Sequence, residues 1–166
     1  MPNTLKTKIL TIQQAQQWAA RAHRKSLQIV ATNGCFDILH FGHVSYLQRA
    51  KQLGHLLAIG LNSDISIRAL KGPSRPLVPE KQRAAVLAAL ECVDAVVIFR
   101  QPRAHRFFTA VHPDIYVKAG DYRLDTLDPG ERELLQSIGT KFKFLPFVRG
   151  FSTTGLIEKI KAANSL

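Results

Sequence analysis

Residues 27–54 constrain the fold more than any other stretch, because they predict one strand, one loop and one helix in succession. Residues 27–31 form an apolar run of the kind found in buried parallel strands. A polar segment, residues 32–43, comes next, and apolar side chains then recur at helical spacing through residues 44–53. Gly54 supplies a stop signal. The polar loop therefore lies at the mouth of a strand-loop-helix unit.

Two histidines make this loop a candidate phosphate site. His40 and His43 are three residues apart, on or just before the first turn of the predicted helix, so their rings point the same way. Gly42 between them removes a side chain where a ligand could approach the backbone. The free N–H groups and the positive dipole end of a helix start favour phosphate. The loop thus predicts a phosphate site with two imidazole donors.

Predicted strands and helices alternate along the whole chain. The 166 residues are 46% hydrophobic, which suits one domain, residues 1–166, with a helical lead-in at residues 1–26 and a catalytic core at residues 27–162. The alternation predicts a Rossmann-like α/β fold, a doubly wound parallel sheet of about five strands with helices on both faces. The predicted strands are residues 27–31, 56–61, 95–99, 115–117 and 142–145. The main predicted helices are residues 11–25, 44–53, 79–90, 103–111 and 131–137, and a last helix that begins at Ser152 and turns Leu156, Ile157 and Ile160 inward.

Polar motifs follow several of the predicted strands. In doubly wound folds, ligands bind outside the carboxyl ends of the strands, where the strand order reverses. These motifs therefore predict one shared site. They comprise Asn62, the breaker-rich loop of residues 71–76 with Lys71 and Arg75, the segment with Lys118, Gly120 and Asp121, and the hydroxyl residues Ser152, Thr153 and Thr154.

Each cation of this set has a structural interpretation beside the functional one. Lys71 and Arg75 stand on a loop stiffened by glycine and proline, where they either contact a phosphate or lie in solvent. Arg83 lies near the start of a predicted helix, where a cation opposes the dipole and an anionic ligand would supply a reason for it. Lys118 ends a buried strand, which favours a functional role.

Composition narrows the class of protein. The net charge of +11 comes from 23 Lys and Arg against 12 Asp and Glu, but no run of five basic residues occurs and aromatic interleaving of the kind that RNA-binding sheets show is missing. A site for highly charged small phosphates explains part of the surplus equally well, and nucleic-acid binding is not favoured. No apolar run approaches the roughly 20 residues of a membrane span, and the start lacks the apolar core of a secretory signal. With only two cysteines, the chain is expected to be cytoplasmic, without disulfides or membrane contact.

A metal site built by the protein is not indicated. His40, His43 and Asp37 could bind zinc, but their spacing differs from H-E-x-x-H and no C-x-x-C pair accompanies Cys35. Mg²⁺ on a triphosphate fits better, because transferring phosphates usually carry it. The first loop lacks G-x-G-x-x-G, and G-x-x-x-x-G-K-[ST] occurs nowhere, so neither dinucleotide redox chemistry nor a P-loop kinase is indicated.

Residues 34–43, GCFDILHFGH, resemble the GxFDxxHxGH stretch of the cytidylyltransferase-like nucleotidyltransferases. Residues 62–64, 70–76, 82–83, 117–122 and 152–154 then resemble, in the same order, motifs of the adenylyltransferase part of bifunctional heptose kinase/adenylyltransferases. The resemblance covers residues 8–162. Ala119 stands where relatives usually have glycine, and residues 124–140 also depart from the usual forms.

The resemblance implies an enzyme that transfers AMP from ATP to D-glycero-β-D-manno-heptose 1-phosphate, giving pyrophosphate and ADP-heptose for the lipopolysaccharide core. It implies Mg²⁺ as cofactor, a stand-alone transferase without the kinase domain of its relatives, and a homodimer as one candidate assembly. His40, His43 and Lys71 are the implied catalytic residues, with Arg75 and Lys71 on the acceptor phosphate. The implied nucleotide-binding residues are Asn33, Gly34, Cys35, Phe36, Asp37, Gly42, Asn62, Arg83, Lys118, Gly120, Asp121, Ser152, Thr153 and Thr154.

Two alternatives stay open at the level of sequence. The first is a cytidylyltransferase that uses CTP and glycerol 3-phosphate or a related alcohol phosphate, because backbone contacts that choose the base are hidden in a sequence. The second is a nucleotide-binding or nucleic-acid-binding module without turnover. The intact pair of His40 and His43 argues against the second alternative.

Overall fold

The computed structural model describes residues 7–146 and 150–163, and six parallel strands form one sheet in this part of the chain. The strand order in the sheet is β1-β4-β3-β2-β5-β6. The Rossmann-like α/β prediction is confirmed, since all five predicted strands form and the short β1 adds a sixth at the edge. The strands are β1 Ile9–Leu10, β2 Ile29–Gly34, β3 Leu56–Asn62, β4 Ala95–Phe99, β5 Ile115–Ala119 and β6 Lys141–Leu145.

The strand order reverses between β2 and β5. Strand β2 pairs with β3 along its whole length, from Ile29 to Gly34. Its pairing with β5 is limited to Val30 and Ala31. The carboxyl ends of β2 and β5 therefore border a crevice, which is the place where doubly wound folds bind their ligands.

The helices begin where the sequence offers capping groups. Thr11 Oγ1 accepts the Gln14 N–H at 3.2 Å, and the Gln14 side chain accepts the Thr11 N–H at 2.8 Å, so the first helix opens on a complete capping box. Ser63 caps the third helix through the Ser66 N–H at 3.2 Å. The helices are α1 Ile12–Arg24, α2 Phe41–Lys51, α3 Asp64–Lys71, α4 Glu80–Ala89, α5 His105–Val111, α6 Pro129–Ser137 and α7 Thr153–Ala163.

Helices cover both faces of the sheet. On one face, α1 and α5 pack through Ala15, Ala19 and Phe107, and Gly60 of β3 leaves room there, because a Cβ at this position would lie 2.7 Å from the Phe107 ring. On the other face, α2 and α4 pack through fully buried side chains such as Leu47 and Leu87. Each such leucine contributes roughly 1.5–3 kcal/mol by leaving water. The two cores hold the carboxyl ends of the strands in place.

The last helix is the least embedded element. Helix α7 contributes no fully buried residue, and Ile160 is 50% exposed, so the prediction that Ile160 faces inward is wrong. Leu156 and Ile157 are half-buried and provide the packing of this helix. Residues 1–6 of the predicted lead-in lie outside the described residues.

Candidate active site

Two adjoining cavities open at the carboxyl ends of β2 and β5. The first has a volume of about 600 Å³ and extends over the crevice to the start of α6. The second has a volume of about 650 Å³ and lies between the starts of α2 and α7. Three side chains that could bind phosphate, His43, Lys71 and Arg75, line both cavities. The two cavities therefore meet at these three side chains, and ligands bound in the two cavities would approach each other there.

The two predicted histidines lie side by side at this junction. His40 is the N-cap of α2 and His43 lies in its first turn, with the His43 N–H donating to the His40 carbonyl at 2.9 Å. Their rings stack with centroids 3.9 Å apart and 27° between the planes. Both Nδ1 atoms are buried without a hydrogen-bond partner among the described residues. Because buried polar atoms are generally paired, both rings have capacity for a ligand.

Burial keeps both imidazoles neutral near pH 7. It lowers the pKa of His43 to about 4, and the positive charges of His40 and Lys71 act in the same direction, while the backbone of Ile38 opposes them. Burial also lowers the pKa of His40. A neutral imidazole has one N–H donor and one acceptor. Each ring can therefore donate one hydrogen bond to a phosphate oxygen.

Gly42 is required by the packing of the histidine pair. A Cβ at this position would lie 3.1 Å from Cε1 and Nδ1 of His40 and 3.0 Å from the Cβ of Phe151. Gly42 also lines the second cavity, so the approach of a ligand to the backbone at this position stays a prediction. Phe151 in turn packs against Phe41, with ring centroids 5.1 Å apart, which joins the start of α7 to the start of α2.

Side chains of β2, α2 and β5 lock the crevice itself. The Tyr46 hydroxyl donates to the Val117 carbonyl at 2.8 Å and lies 2.7 Å from the Thr32 hydroxyl. It therefore links α2 to both β2 and β5. Lys118 Nζ donates to the Asn33 carbonyl at 2.9 Å. Burial lowers the pKa of Lys118 to about 8, against the opposing effect of nearby carboxylate and thiol groups. Lys118 thus remains largely cationic at pH 7 on the floor of the first cavity.

Asp37 fastens the loop that carries Arg75. Its carboxylate accepts the Leu77 N–H and the Val78 N–H, each at 2.9 Å, and pairs with Arg75 Nη1 at 3.0 Å. The side chain of Asp37 is 4% exposed. Backbone N–H groups that donate to a carboxylate make charge-assisted hydrogen bonds, which are among the strongest in proteins. These bonds fix Leu77 and Val78 against the histidine loop, whereas Arg75 Nη1 lies in ion-pair contact with the carboxylate and makes no hydrogen bond within the described residues.

Arg83 braces the same region from the interior. Its guanidinium donates to the carbonyls of Val78, Cys35 and Asn62 at 2.8, 2.5 and 2.9 Å, and it pairs with Asp64 at 2.7 Å. At 1% exposure it faces neither cavity. Carbonyl oxygens and a carboxylate are thus the partners of Arg83 in the first turn of α4. The sequence had suggested an anionic nucleotide as its partner.

The remaining predicted residues divide between the cavities and their surroundings. Lys71 is the last residue of α3 rather than part of a loop, and its exposed side chain lines both cavities. Gly120, at φ +105°, and the exposed Asp121 are not among the residues found to line them. The first cavity contains Asn33, Gly34, Cys35, Phe36, Asp37 and Asn62, and the second contains His40, Gly42, Ser152, Thr153 and Thr154.

Sequence reasoning missed the residues that α6 and its neighbours bring to the first cavity. Arg103, Tyr122, Asp128 and Glu131 all line it. Asp128 followed by proline signals a helix start in the sequence. Nothing in the local pattern indicates, however, that this helix returns to the crevice between β2 and β5.

Within residues 7–146 and 150–163, no cluster of three or more His, Cys, Asp or Glu side chains could hold a metal ion. The same part of the chain contains no helix with the length and hydropathy that crossing a membrane demands. The donors that face the junction are imidazole, ammonium, guanidinium and hydroxyl groups. Such groups donate hydrogen bonds to phosphate oxygens.

A parallel sheet with cationic and imidazole donors gathered at its switch point defines an α/β protein with a candidate phosphate site. The cytidylyltransferase-like family model matches residues 31–162, so the chain belongs to this family. It is therefore a nucleotidyltransferase. The match begins in β2 and ends in α7, and it includes both cavities.

The curated relatives share sequence over one part of their length. The chain is 50% identical over 137 residues to the bifunctional protein HldE of Syntrophotalea carbinolica, which is 82% of this chain and 28% of that protein. It is 45% identical over 155 residues to the HldE of Magnetococcus marinus, which is 93% of this chain and 31% of that protein. The chain thus spans less than a third of the length of these relatives.

Two solved structures are similar in fold. The lipopolysaccharide core biosynthesis protein of Thermoplasma volcanium has a TM-score of 0.60 and 28% identity, over 74% of this chain and 97% of that chain. The pantoate-beta-alanine ligase of Francisella tularensis, in complex with an ATP analogue and beta-alanine, has a TM-score of 0.64 over 96% of this chain and 77% of that chain. Its 16% identity shows a common fold alone.

Proposed function

We propose that the protein transfers AMP from ATP to D-glycero-β-D-manno-heptose 1-phosphate and releases pyrophosphate and ADP-heptose. The observation that carries the proposal is the neutral, stacked pair of His40 and His43 at the junction of two cavities. The similarity to HldE proteins and to a lipopolysaccharide core biosynthesis protein supports the choice of a heptose phosphate.

The chemistry is a single displacement at phosphorus. A phosphate oxygen of the acceptor forms a bond to the α-phosphorus of ATP, and the bond from that phosphorus to the bridging oxygen of the β-phosphate breaks, so pyrophosphate leaves with the electron pair. No nucleophile from the protein takes part. Such a reaction depends mainly on positioning and on stabilising negative charge. His40 and His43 would supply N–H donors to the phosphate oxygens in the transition state.

The two cavities suggest how the substrates divide. The second cavity offers the hydroxyls of Ser152, Thr153 and Thr154 near the start of α7, which suits the triphosphate. The first cavity is lined by more polar side chains and would hold the acceptor. Lys71 and Arg75 line both cavities and would neutralise the phosphates where the substrates meet. Each of these roles rests on the placement of the side chains.

Magnesium fits this arrangement as a partner of the triphosphate. The side chains at the junction are donors rather than oxygen ligands, so the phosphate oxygens would be the ligands of the ion. When bound, Mg²⁺ neutralises charge on the triphosphate and on the leaving group. The chain itself would hold the phosphates through Lys71 and Arg75 and orient them against the histidine pair.

A cytidylyltransferase that acts on glycerol 3-phosphate is the second candidate. It is favoured by the description of the matching family as cytidylyltransferase-like. The two candidates share the histidine pair and the displacement at the α-phosphorus. They differ in the base and in the number of hydroxyl groups on the acceptor.

Pyrophosphate release with Mg²⁺ tests the proposal directly. ATP and CTP are each combined with heptose 1-phosphate and with glycerol 3-phosphate. Release with ATP and heptose 1-phosphate alone is the expected result. Release with CTP alone would replace the proposed reaction by the second candidate, and release with no combination would contradict both.

A further inference from the structure

A buried carboxylate at the far end of the first cavity has no role in the reaction described above. Glu131 is 7% exposed and lines that cavity. Its Oε1 accepts the Ala104 N–H at 2.7 Å, whereas its Oε2 makes no hydrogen bond within residues 7–146 and 150–163 and is not among the buried atoms that lack a partner there. Lys118 is near enough for the charge of Glu131 to raise its pKa, but the two side chains form no salt bridge within this part of the chain. Oε2 is therefore open to the cavity and free to accept a hydrogen bond from a ligand.

Local helix chemistry does not explain Glu131. It occupies the third position of α6, where a glutamate commonly accepts the backbone N–H of the N-cap residue. Asp128 does cap the helix by accepting the Glu131 N–H at 3.1 Å. Glu131 nevertheless reaches across to Ala104 instead of returning to Asp128. Its carboxylate is thereby turned from its own helix end toward the cavity.

The charges along the first cavity change sign from one end to the other. Lys71 and Arg75 lie at the junction with the second cavity, and Lys118 lies on the floor. At the α6 end, Arg103 pairs with Asp128 at 2.9 Å, whereas Glu131 forms no salt bridge among the described residues and acts on Lys118 only at longer range. A phosphate is therefore attracted more strongly to the first end than to the second. The first cavity therefore favours one orientation of a bound phosphate compound.

Hydrogen-bond chemistry identifies what fits the acidic end. A carboxylate only accepts hydrogen bonds, so its partner must be a donor that carries no negative charge. Asn33 lines the same cavity, and its Oδ1 already accepts the Tyr116 hydroxyl at 2.8 Å, which leaves its amide N–H groups as donors. A hydroxyl group is both donor and acceptor and satisfies either residue. A molecule with a phosphate at one end and several hydroxyls at the other matches this polarity.

We propose that Glu131 is a specificity-determining residue that accepts a hydrogen bond from a hydroxyl group of a polyhydroxylated phosphate acceptor. It selects sugar phosphates over short alcohol phosphates and directs the phosphate of the acceptor toward Lys71 and Arg75. The inference rests on the proposed function for the identity of the acceptor and adds the residue that recognises it.

Binding calorimetry on the full chain with a non-hydrolysable ATP analogue tests the inference. Glu131→Gln keeps the acceptor for the Ala104 N–H and removes the charge, and it is expected to weaken binding of heptose 1-phosphate about tenfold, as for a lost hydrogen bond to a charged group. Binding of glycerol 3-phosphate and of the ATP analogue is expected to stay the same. Glu133→Gln, an exposed change on the same helix, is the matched control and is expected to alter none of the affinities.

A second variant covers a failure of Glu131→Gln to fold. Glu131→Asp keeps the charge but withdraws it by one methylene, and it is expected to weaken the same acceptor selectively. An equal loss for both acceptors, or no loss for either, would overturn the inference.

Pyrophosphate release, measured in parallel, separates this inference from the proposed function. Binding of heptose 1-phosphate that depends on Glu131, without turnover, would support the inference and contradict the proposed reaction. Turnover with unchanged acceptor affinity in Glu131→Gln would do the reverse. A wild-type protein that binds no sugar phosphate would contradict both.

Discussion

The rings of His40 and His43 lie nearly face to face, 3.9 Å apart between centroids. Burial lowers the pKa of both side chains, and repulsion from His40 at this distance lowers the pKa of His43 further. A Cβ at Gly42 would lie 3.1 Å from the His40 ring, so a side chain there would require the ring or Phe151 to shift. One helix start thus presents two neutral imidazole rings side by side.

Removing one member of the pair is expected to abolish most turnover. In His43→Ala, pyrophosphate release should fall by a factor on the order of 10²–10³, the usual effect of losing one donor to a transition state. The fold should persist, since His43 lies at a cavity wall rather than in either core cluster. Steady-state kinetics and circular dichroism measure the two effects.

His23→Ala is the control for the loss of a histidine. His23 is an exposed residue of α1 that pairs with Asp114, away from both cavities. Its removal is expected to leave turnover unchanged. Near-wild-type activity in His43→Ala would contradict the role given to the histidine pair.

The lowered pKa of His43 also predicts how stability depends on pH. In the unfolded chain His43 takes up a proton as the pH falls through about 6.5, whereas in the folded protein it does so near 4. The free energy of unfolding contributed by the neutral ring is therefore complete above pH 6.5 and declines as the pH falls toward 4. Urea midpoints should fall on acidification across this window, and they should fall less in His43→Ala. Identical slopes for the two proteins would show that His43 titrates normally.

Replacing Arg83 tests whether its side chain stabilises the interior or contacts the nucleotide. Arg83→Lys cannot reproduce the fork that joins three carbonyls and Asp64, so we expect it to lower the free energy of unfolding by about 3–5 kcal/mol. Urea denaturation provides the measurement, with the exposed Arg68→Lys as a control that should change little. A stable Arg83→Lys protein with greatly weakened ATP binding would instead place the guanidinium on the nucleotide.

The bond between Asp37 and Arg75 is expected to couple the histidine loop to the loop after α3. Asp37→Asn loses the ion pair and one of its strong acceptors, which should lower the free energy of unfolding by about 1–3 kcal/mol and weaken triphosphate binding. Nucleotide titration of Asp37→Asn, Arg75→Gln and the double variant measures the coupling. We expect the double variant to be little worse than the single ones, and strictly additive losses would show that the two side chains act independently.

Much of the fold follows from local sequence. The capping box of Thr11 and Gln14 and the cap at Ser63 each join residues three positions apart, and the apolar runs of the five longer strands form strands as predicted. The His40 and His43 pair is equally local, since one loop and one helix start carry both rings. Sequence reasoning succeeds where the partners lie within a few residues of each other.

The remainder depends on contacts between distant segments. Strand β1 has two residues, too few for a periodic pattern, and exists because Ile9 and Leu10 pair with β4. Arg83 finds its acceptors 48 and 21 residues away, at Cys35 and Asn62. Glu131 lies 27 residues from its partner Ala104. No local pattern shows which of these polar groups the chain brings together.

The most direct test of the account follows the phosphorus atoms of ATP. Wild-type protein with Mg²⁺ and heptose 1-phosphate is given ATP labelled either at the α-phosphorus or at the γ-phosphorus, and the products are separated. We expect the α label in the sugar nucleotide and the γ label in pyrophosphate, both lost in His43→Ala. A γ label on the sugar, or an α label that stays in ATP, would contradict transfer of AMP at this site.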